Sequence, residues 1–151
     1  MNIAQSVVEI KTLIDNKDCR SFNMLLDHTV ERLCDYLFTE FFSMKEWGMI
    51  SPYEFIALLK KKLKMNEIDY EIVHFMEFYC MEESSYCCSL DFIYDDYQIM
   101  VECGRTDVKT LEDYDTLLAV NHAEVVLELL MDLLKFLEEK HHIRAEQIEM
   151  R

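Results

Sequence analysis

Apolar residues recur every three or four positions through the first half of the chain, which is the spacing of one face of an α-helix. The first such face predicts a helix that ends near Asn16, and its residues are Ile3, Val7, Ile10 and Ile14. A second face predicts a long helix over about residues 22–47, and its residues are Leu26, Val30, Leu33, Leu37, Phe41 and Met44. Gly48 follows this face at the position where glycine commonly ends a helix, because glycine adopts a positive φ without steric cost.

A capping signature predicts the start of a third helix. Ser51 is placed to cap, Pro52 occupies the first helical position, and Glu54 is positioned to bond back to the cap. This helix extends to about Lys64, and its predicted buried residues are Phe55, Ile56, Leu59 and Leu63. A fourth helix ends at the polar break 82–85, and its apolar face consists of Ile68, Ile72, Phe75 and Tyr79.

The period of the apolar residues changes to two in the stretch YCCSLDFIYDDYQIMVECG, residues 86–104. If Asp95 and Asp96 form a two-residue turn, apolar side chains face each other across two antiparallel strands. The facing pairs are Tyr94 with Tyr97, Phe92 with Ile99, Leu90 with Val101, and Cys88 with Cys103. A slip of one residue would destroy every pair, so the pattern predicts an antiparallel β-hairpin over about residues 86–103.

The last part of the chain reads as a polar connector over 105–115 followed by helices. We predict a short helix over 116–120 and a final apolar helix capped by Asn121, with Glu124 three residues later. The final helix has one narrow polar stripe, made of Glu124, Glu128, Asp132, Lys135 and Glu139. Such a helix is either the centre of the domain or a dimer contact. The tail after residue 140 is polar and is predicted to fray.

These elements predict one α+β domain over residues 1–151 that is predominantly helical. Four to six helices surround the apolar C-terminal helix, and the hairpin packs on one side. Only two glycines and one proline occur, and 51% of residues are hydrophobic, which favours helices around a substantial core. The chain contains no run of about 18 apolar residues and no secretion signal pattern, so we expect a cytoplasmic protein with no membrane contact.

Cysteine and histidine patterns indicate neither a disulfide framework nor a metal site. Six cysteines occur without any C-x-x-C pair, and we expect them to be reduced. The five histidines are scattered, and neither a G-x-S-x-G motif nor a P-loop is present. We therefore predict no metal, no cofactor and no enzymatic activity, and keep a small enzyme without a recognisable motif as a distant alternative.

The ten residues FIYDDYQIMV, at 92–101, resemble the hairpin of palm-type polymerases. In that family the paired aspartates hold catalytic magnesium, and the resemblance would give Asp95 and Asp96 this role. The polymerase reaction also needs a further aspartate on a neighbouring strand and a palm larger than this chain. We interpret the two aspartates as an exposed turn, with weak binding of a divalent cation as an open alternative.

Acidic residues outnumber basic residues by 30 to 15, which gives a net charge of −15. Residues 1–75 contain nine basic and twelve acidic residues, whereas residues 76–151 contain six and eighteen. Direct electrostatic binding to nucleic acid or to anionic membrane is excluded by this charge. The predicted partner-binding residues form an acidic face with aromatic anchors: Asp91, Tyr94, Asp95, Asp96, Tyr97, Glu102, Asp107, Glu112, Asp113 and Asp115.

An acidic surface that serves only solubility is one interpretation of this charge, and it stays open. Charge and missing catalytic motifs together favour the other interpretation, an acidic intracellular inhibitor. Its predicted partner is a basic protein, such as a nuclease or another nucleic-acid-binding effector, whose basic cleft it occupies. Immunity proteins against nuclease toxins and phage inhibitors of restriction or CRISPR effectors act in this way as a class. The alternative is a homodimeric adaptor that associates through the C-terminal helix, at Leu127, Leu130 or Leu134.

Overall fold

A computed structural model describes residues 1–46, 50, 52–69, 71–74 and 111–151, and these residues are predominantly helical. The part of the chain that the structure describes contains no strand, and its only β feature is an isolated antiparallel bridge between Asn2 and Glu149. The hairpin predicted over 86–103 lies outside the described residues and stays a prediction.

The first helix, α1 (Ile3–Asp15), confirms its prediction. A capping box starts it: the Asn2 side chain accepts a bond from the Gln5 backbone N–H, and the Asn2 N–H donates to Gln5 Oε1, both at 2.9 Å. These bonds satisfy N–H groups that lack partners inside the helix. All four residues of the predicted apolar face are buried.

The second helix, α2 (Cys19–Phe41), begins three residues before the predicted start and ends six before the predicted end. It begins early because Asp18 accepts a bond from the Ser21 N–H at 3.3 Å. It ends early because Phe42 has an extended backbone, and the Phe42 ring lies against the rings of Phe38 and Phe55. Met44, predicted on the buried face, is 83% exposed. That prediction was wrong because aromatic packing redirects the chain at Phe42.

The third helix, α3 (Pro52–Lys62), buries three of its four predicted apolar residues, and the fourth, Leu63, is buried directly after the helix. It stops two residues before the predicted end because Lys64 has a φ of 56°, and the Met65 N–H bonds back to the Lys60 carbonyl at 3.1 Å. A 3₁₀ turn (Glu67–Asp69) and the short helix α4 (Glu71–His74) follow. The rest of the predicted fourth helix lies beyond residue 74, outside the described residues.

The long helix α5 (Leu111–His141) corrects the sequence prediction for this region. No connector extends to residue 115, no separate helix covers 116–120, and Asn121 is an exposed residue inside α5 and caps nothing. The helix continues through Asn121 because Ala119 and Val120 pack against the core and Ala123 is buried. Tertiary packing here outweighs the capping preference of asparagine.

The helices pack around α5, which contacts α1, α2 and α4. The short link at 16–18 makes α1 and α2 antiparallel. Between the helices lies one apolar cluster, whose largest fully buried side chains include Phe22, Ile10, Leu26, Leu33, Leu37, Ile56, Leu59 and Leu130. The described residues confirm the predominantly helical class, and α3 packs on α4.

The tail after α5 is anchored, and the prediction that it frays was wrong. Ile148 is 1% exposed and belongs to the core cluster. The Ile3 N–H donates to the Ile148 carbonyl at 2.9 Å, and Arg32 Nε donates to the Glu149 carbonyl at 3.2 Å. These contacts join the end of the chain to α1 and α2, because the tail supplies acceptors to otherwise unpaired donors.

Candidate functional site

A groove lies between the C-terminal end of α1 and the middle of α5, with a volume of about 260 Å³. We call it the α1–α5 groove. Its lining residues are Lys11, Ile14, Asp15, Glu124, Leu127, Glu128, Met131 and Asp132. They combine an apolar floor with a charged rim, which is the usual composition of a site that binds an amphipathic ligand.

The floor consists of Ile14, Leu127 and Met131. Ile14 is 4% exposed and Leu127 is 6% exposed, so the inner edge of the floor is the surface of the core. Met131 is 38% exposed and is the part of the floor that a ligand would cover. Methionine has three rotatable bonds and a polarisable sulfur, so it adapts to ligands of different shapes.

The rim carries four carboxylates, from Asp15 on α1 and from Glu124, Glu128 and Asp132 on α5. The three on α5 are four residues apart and lie on one face of the helix. Like charges at this spacing destabilise a helix by a few tenths of a kcal/mol. Among the described residues none of the four carboxylates is in an ion pair, and Lys11 is the single basic residue of the lining. Helix stability therefore does not account for this row.

Exposed apolar side chains lie on the same helix faces beside the groove. Val8 is 63% exposed and precedes Lys11 by three residues on α1. Val125 is 57% exposed and precedes Glu128 by three residues on α5. Residues three apart are neighbours on a helix surface, so apolar surface continues on both helices beyond the floor.

None of the predicted partner-binding residues is among the described lining residues of the groove. Seven of them lie outside the described residues: Asp91, Tyr94, Asp95, Asp96, Tyr97, Glu102 and Asp107. Glu112, Asp113 and Asp115 fall in the first two turns of α5, where only the backbone is described. The predicted acidic face therefore stays a prediction.

The sequence interpretation missed the groove itself. The polar stripe of α5 was predicted correctly, because all five of its residues are exposed. What the sequence did not reveal was Asp15 and Ile14 on the opposite side, since the pairing of α1 with α5 joins residues more than a hundred positions apart. The signal that the sequence offered was the row of three carboxylates on α5, at intervals of four residues: Glu124, Glu128 and Asp132.

The basic run at the end of α3 is partly used within the fold. Lys62 Nζ lies 3.0 Å from Glu46 Oε1 and 4.8 Å from the centre of the Phe42 ring. The bond from the Ser43 backbone N–H and the bond from Lys62 lower the pKa of Glu46. This pair ties the turn after α2 to α3, which is a structural role.

Two histidines in the described ranges are also held by contacts or burial within the fold. His141 Nε2 lies 2.8 Å from the Leu63 carbonyl, and the His141 ring meets Phe41 edge to face. Burial lowers the pKa of His122. Cys19 and Cys34 are half-buried, and Cys19 Sγ donates to the Lys17 carbonyl at 3.6 Å. Within residues 1–74 and 111–151, so far as they are described, no group of three or more potential ligands is placed to hold a metal ion.

Comparison of the chain with protein-family models, curated proteins and solved structures finds no match. In the described part of the chain no helix is both long enough and apolar enough to cross a membrane.

Proposed function

We propose that this protein is an acidic, non-catalytic binding protein of the cytoplasm that inhibits a basic partner by occupying its nucleic-acid-binding or active site. The single observation that carries the proposal is the row of unpaired carboxylates along the α1–α5 groove, in a chain of net charge −15. Immunity proteins and phage inhibitors of defence nucleases are the functional classes to which such a protein would belong.

Electrostatics supports a basic partner. Carboxylates that lack internal partners keep their attraction for external cations, and a surface of one sign speeds encounter with a surface of the opposite sign. Carboxylates at regular intervals also resemble the phosphates that a basic cleft normally binds. The predicted acidic face around Asp91, Asp95 and Asp96 would contribute charge of the same sign.

The homodimeric adaptor has less support. Leu127 is 6% exposed and Leu130 is fully buried within a single chain, so neither is free to form a dimer contact. Leu134 is half-buried against the core. None of the three leucines predicted for the dimer contact is exposed, and two copies of charge −15 would repel each other.

The proposal predicts a salt-sensitive complex with a basic protein. A partner captured from the source cells and then purified should bind with a Kd that rises at least about tenfold between roughly 0.05 and 0.5 M NaCl, because screening weakens contacts between exposed charges. The protein should also displace DNA or RNA from that partner. Calorimetry and a competition assay with labelled nucleic acid measure the two effects.

Charge-reversed variants supply the control. The triple variant Asp91→Lys, Asp95→Lys, Asp96→Lys should bind more weakly than the variant Glu9→Lys, Glu138→Lys, Glu139→Lys, which has the same net charge. A partner that binds nucleic acid and this protein at the same time, or a Kd indifferent to salt, would contradict the proposal.

A further inference from the structure

We infer that the α1–α5 groove binds one short cationic amphipathic helix of the partner, with an apolar side chain on the floor and lysine or arginine side chains along the rim. This inference rests on the proposed function and specifies where and how the basic partner is held. The juxtaposition that carries it is the exposed part of Met131 in one groove with Asp15 of α1 and the carboxylates of α5.

The groove is smaller than the usual site for a drug-sized ligand or a cofactor, and its size suits single side chains of a partner protein. Drug-sized and cofactor sites have volumes of about 300–1,000 Å³. A cavity of about 150 Å³ holds one benzene ring. The groove, at about 260 Å³, therefore matches one or two apolar side chains of a protein segment.

The rim determines the charge of that segment. Its α5 carboxylates are spaced at intervals of four residues, as are side chains on one face of a partner helix. A helix laid along α5 would bring a lysine or arginine beside each of Glu124, Glu128 and Asp132. Helix-in-groove recognition with apolar anchors at such spacing is a recurring mode of binding.

Charge also argues against the two other occupants, a segment of this chain and a second copy. Residues 76–110 contain eight acidic and two basic residues, so their charge has the same sign as the rim. A second copy carries the same net charge of −15. Either occupant would bring like charges together, and their repulsion would weaken binding, whereas a basic partner would be attracted to the rim.

The test uses a fluorescent peptide of leucine and lysine at helical spacing as the probe, with anisotropy measured on the full chain. Two matched peptides replace every lysine by glutamine or every leucine by alanine. We expect both replacements to weaken binding at least about tenfold, because both the floor and the rim contribute. Equal binding of the leucine-lysine and alanine-lysine peptides would mean attraction to charge alone and would overturn the inference.

Variants of the protein locate the site. Glu128→Lys with Asp132→Lys should reduce affinity at least about tenfold, whereas Glu138→Lys with Glu139→Lys, on the same helix outside the groove, should reduce it by less than about twofold. Met131→Ser should weaken binding of the leucine-lysine peptide. Met24→Ser, at an exposed methionine of α2, should leave that binding unchanged. Circular dichroism and the urea midpoint confirm that each variant is folded. Equal effects of the paired variants would contradict the inference.

Three further outcomes separate this inference from the proposed function. If the natural partner binds with salt-sensitive affinity that Glu128→Lys with Asp132→Lys leaves unchanged, the groove is not its site and the inference is overturned. The proposed function then depends on the predicted acidic face, which the triple variant of Asp91, Asp95 and Asp96 tests. If light scattering finds a dimer that Met131→Ser dissociates, the groove belongs to a second copy and the inference is overturned. If no basic partner binds, the proposed function itself is wrong.

Discussion

At the scale of single residues, one buried polar pair links α1 to α2. Ser6 and Thr29 are both fully buried, and their hydroxyl oxygens lie 2.5 Å apart. Thr29 Oγ1 also lies 2.6 Å from the Leu25 carbonyl, to which it donates. The proton between the two hydroxyls therefore comes from Ser6, which donates to Thr29. Polar groups in a core are tolerated only with such partners.

The direction of these bonds predicts unequal mutational effects. Ser6→Ala should lower the free energy of unfolding by about 1 kcal/mol, the value of one hydrogen bond. Thr29→Val should lower it by about 1–3 kcal/mol, because it leaves the Ser6 hydroxyl buried without its acceptor. Urea denaturation of both variants measures the effects.

The double variant is the control for this pair. Ser6→Ala with Thr29→Val removes both hydroxyls, so no buried donor stays unpaired. Its cost should be smaller than the sum of the two single costs, as expected for residues in contact. Additive costs would show that the two hydroxyls do not interact.

At the scale of elements, the tail after α5 packs across α1 and α2 and is bonded to both helices. It contributes one fully buried isoleucine and backbone carbonyls that accept from Ile3 and Arg32. The Met150 N–H also donates to the Met1 carbonyl at 2.8 Å. These contacts hold the beginning and the end of the described chain together although neither belongs to a sheet.

Ile148→Ala should therefore destabilise the whole fold. The expected loss is about 2–4 kcal/mol, because truncation of a buried isoleucine removes apolar contacts and leaves a cavity. The control is Val8→Ala, at a position 63% exposed, which should change stability by less than about 0.5 kcal/mol. A loss for Ile148→Ala no larger than that of the control would show that the tail is frayed in solution.

At the scale of the whole molecule, charge repulsion opposes the packing of the helices. A net charge of −15 is large for 151 residues, and a compact state brings like charges closer than an unfolded chain does. In the described ranges few ion pairs offset this repulsion. Arg32 with Asp35 is a local pair, whereas Lys62 with Glu46 joins α3 to the turn after α2.

Low salt should therefore destabilise the protein. Between about 0.01 and 0.1 M NaCl the Debye length falls from about 30 to 10 Å, so screening changes most in this interval. We expect the Tm to rise by about 2–4 °C, which corresponds to about 1 kcal/mol for a chain of this size. Scanning calorimetry at constant pH measures the shift.

A variant with lower charge tests the cause. Glu9→Lys with Glu139→Lys changes two exposed positions and reduces the net charge to −11, so its Tm should depend less on salt. An equal dependence in both proteins would assign the effect to something other than net charge.

Sequence patterns predicted the helical class and the buried faces of α1 and α3 because helix periodicity is local. The same local reasoning failed at Phe42, where the packing of aromatic rings ends α2. It also failed at Asn121, a residue that favours a helix start, because α5 continues through it and buries Ala123. The acidic stripe of α5 was predicted, but the groove was not, because Asp15 reaches it only through the packing of α1 on α5.

The net charge, the apolar period of each helix and the polar stripe of α5 follow from the amino-acid sequence, since each depends on residue identities alone or on residues within a few turns of one another. The packing of the helices determines which apolar side chains are covered, where α2 ends, that the tail is anchored, and that the stripe borders a groove. Each of those outcomes depends on contacts between residues far apart in the chain, whose relative free energies no local pattern contains.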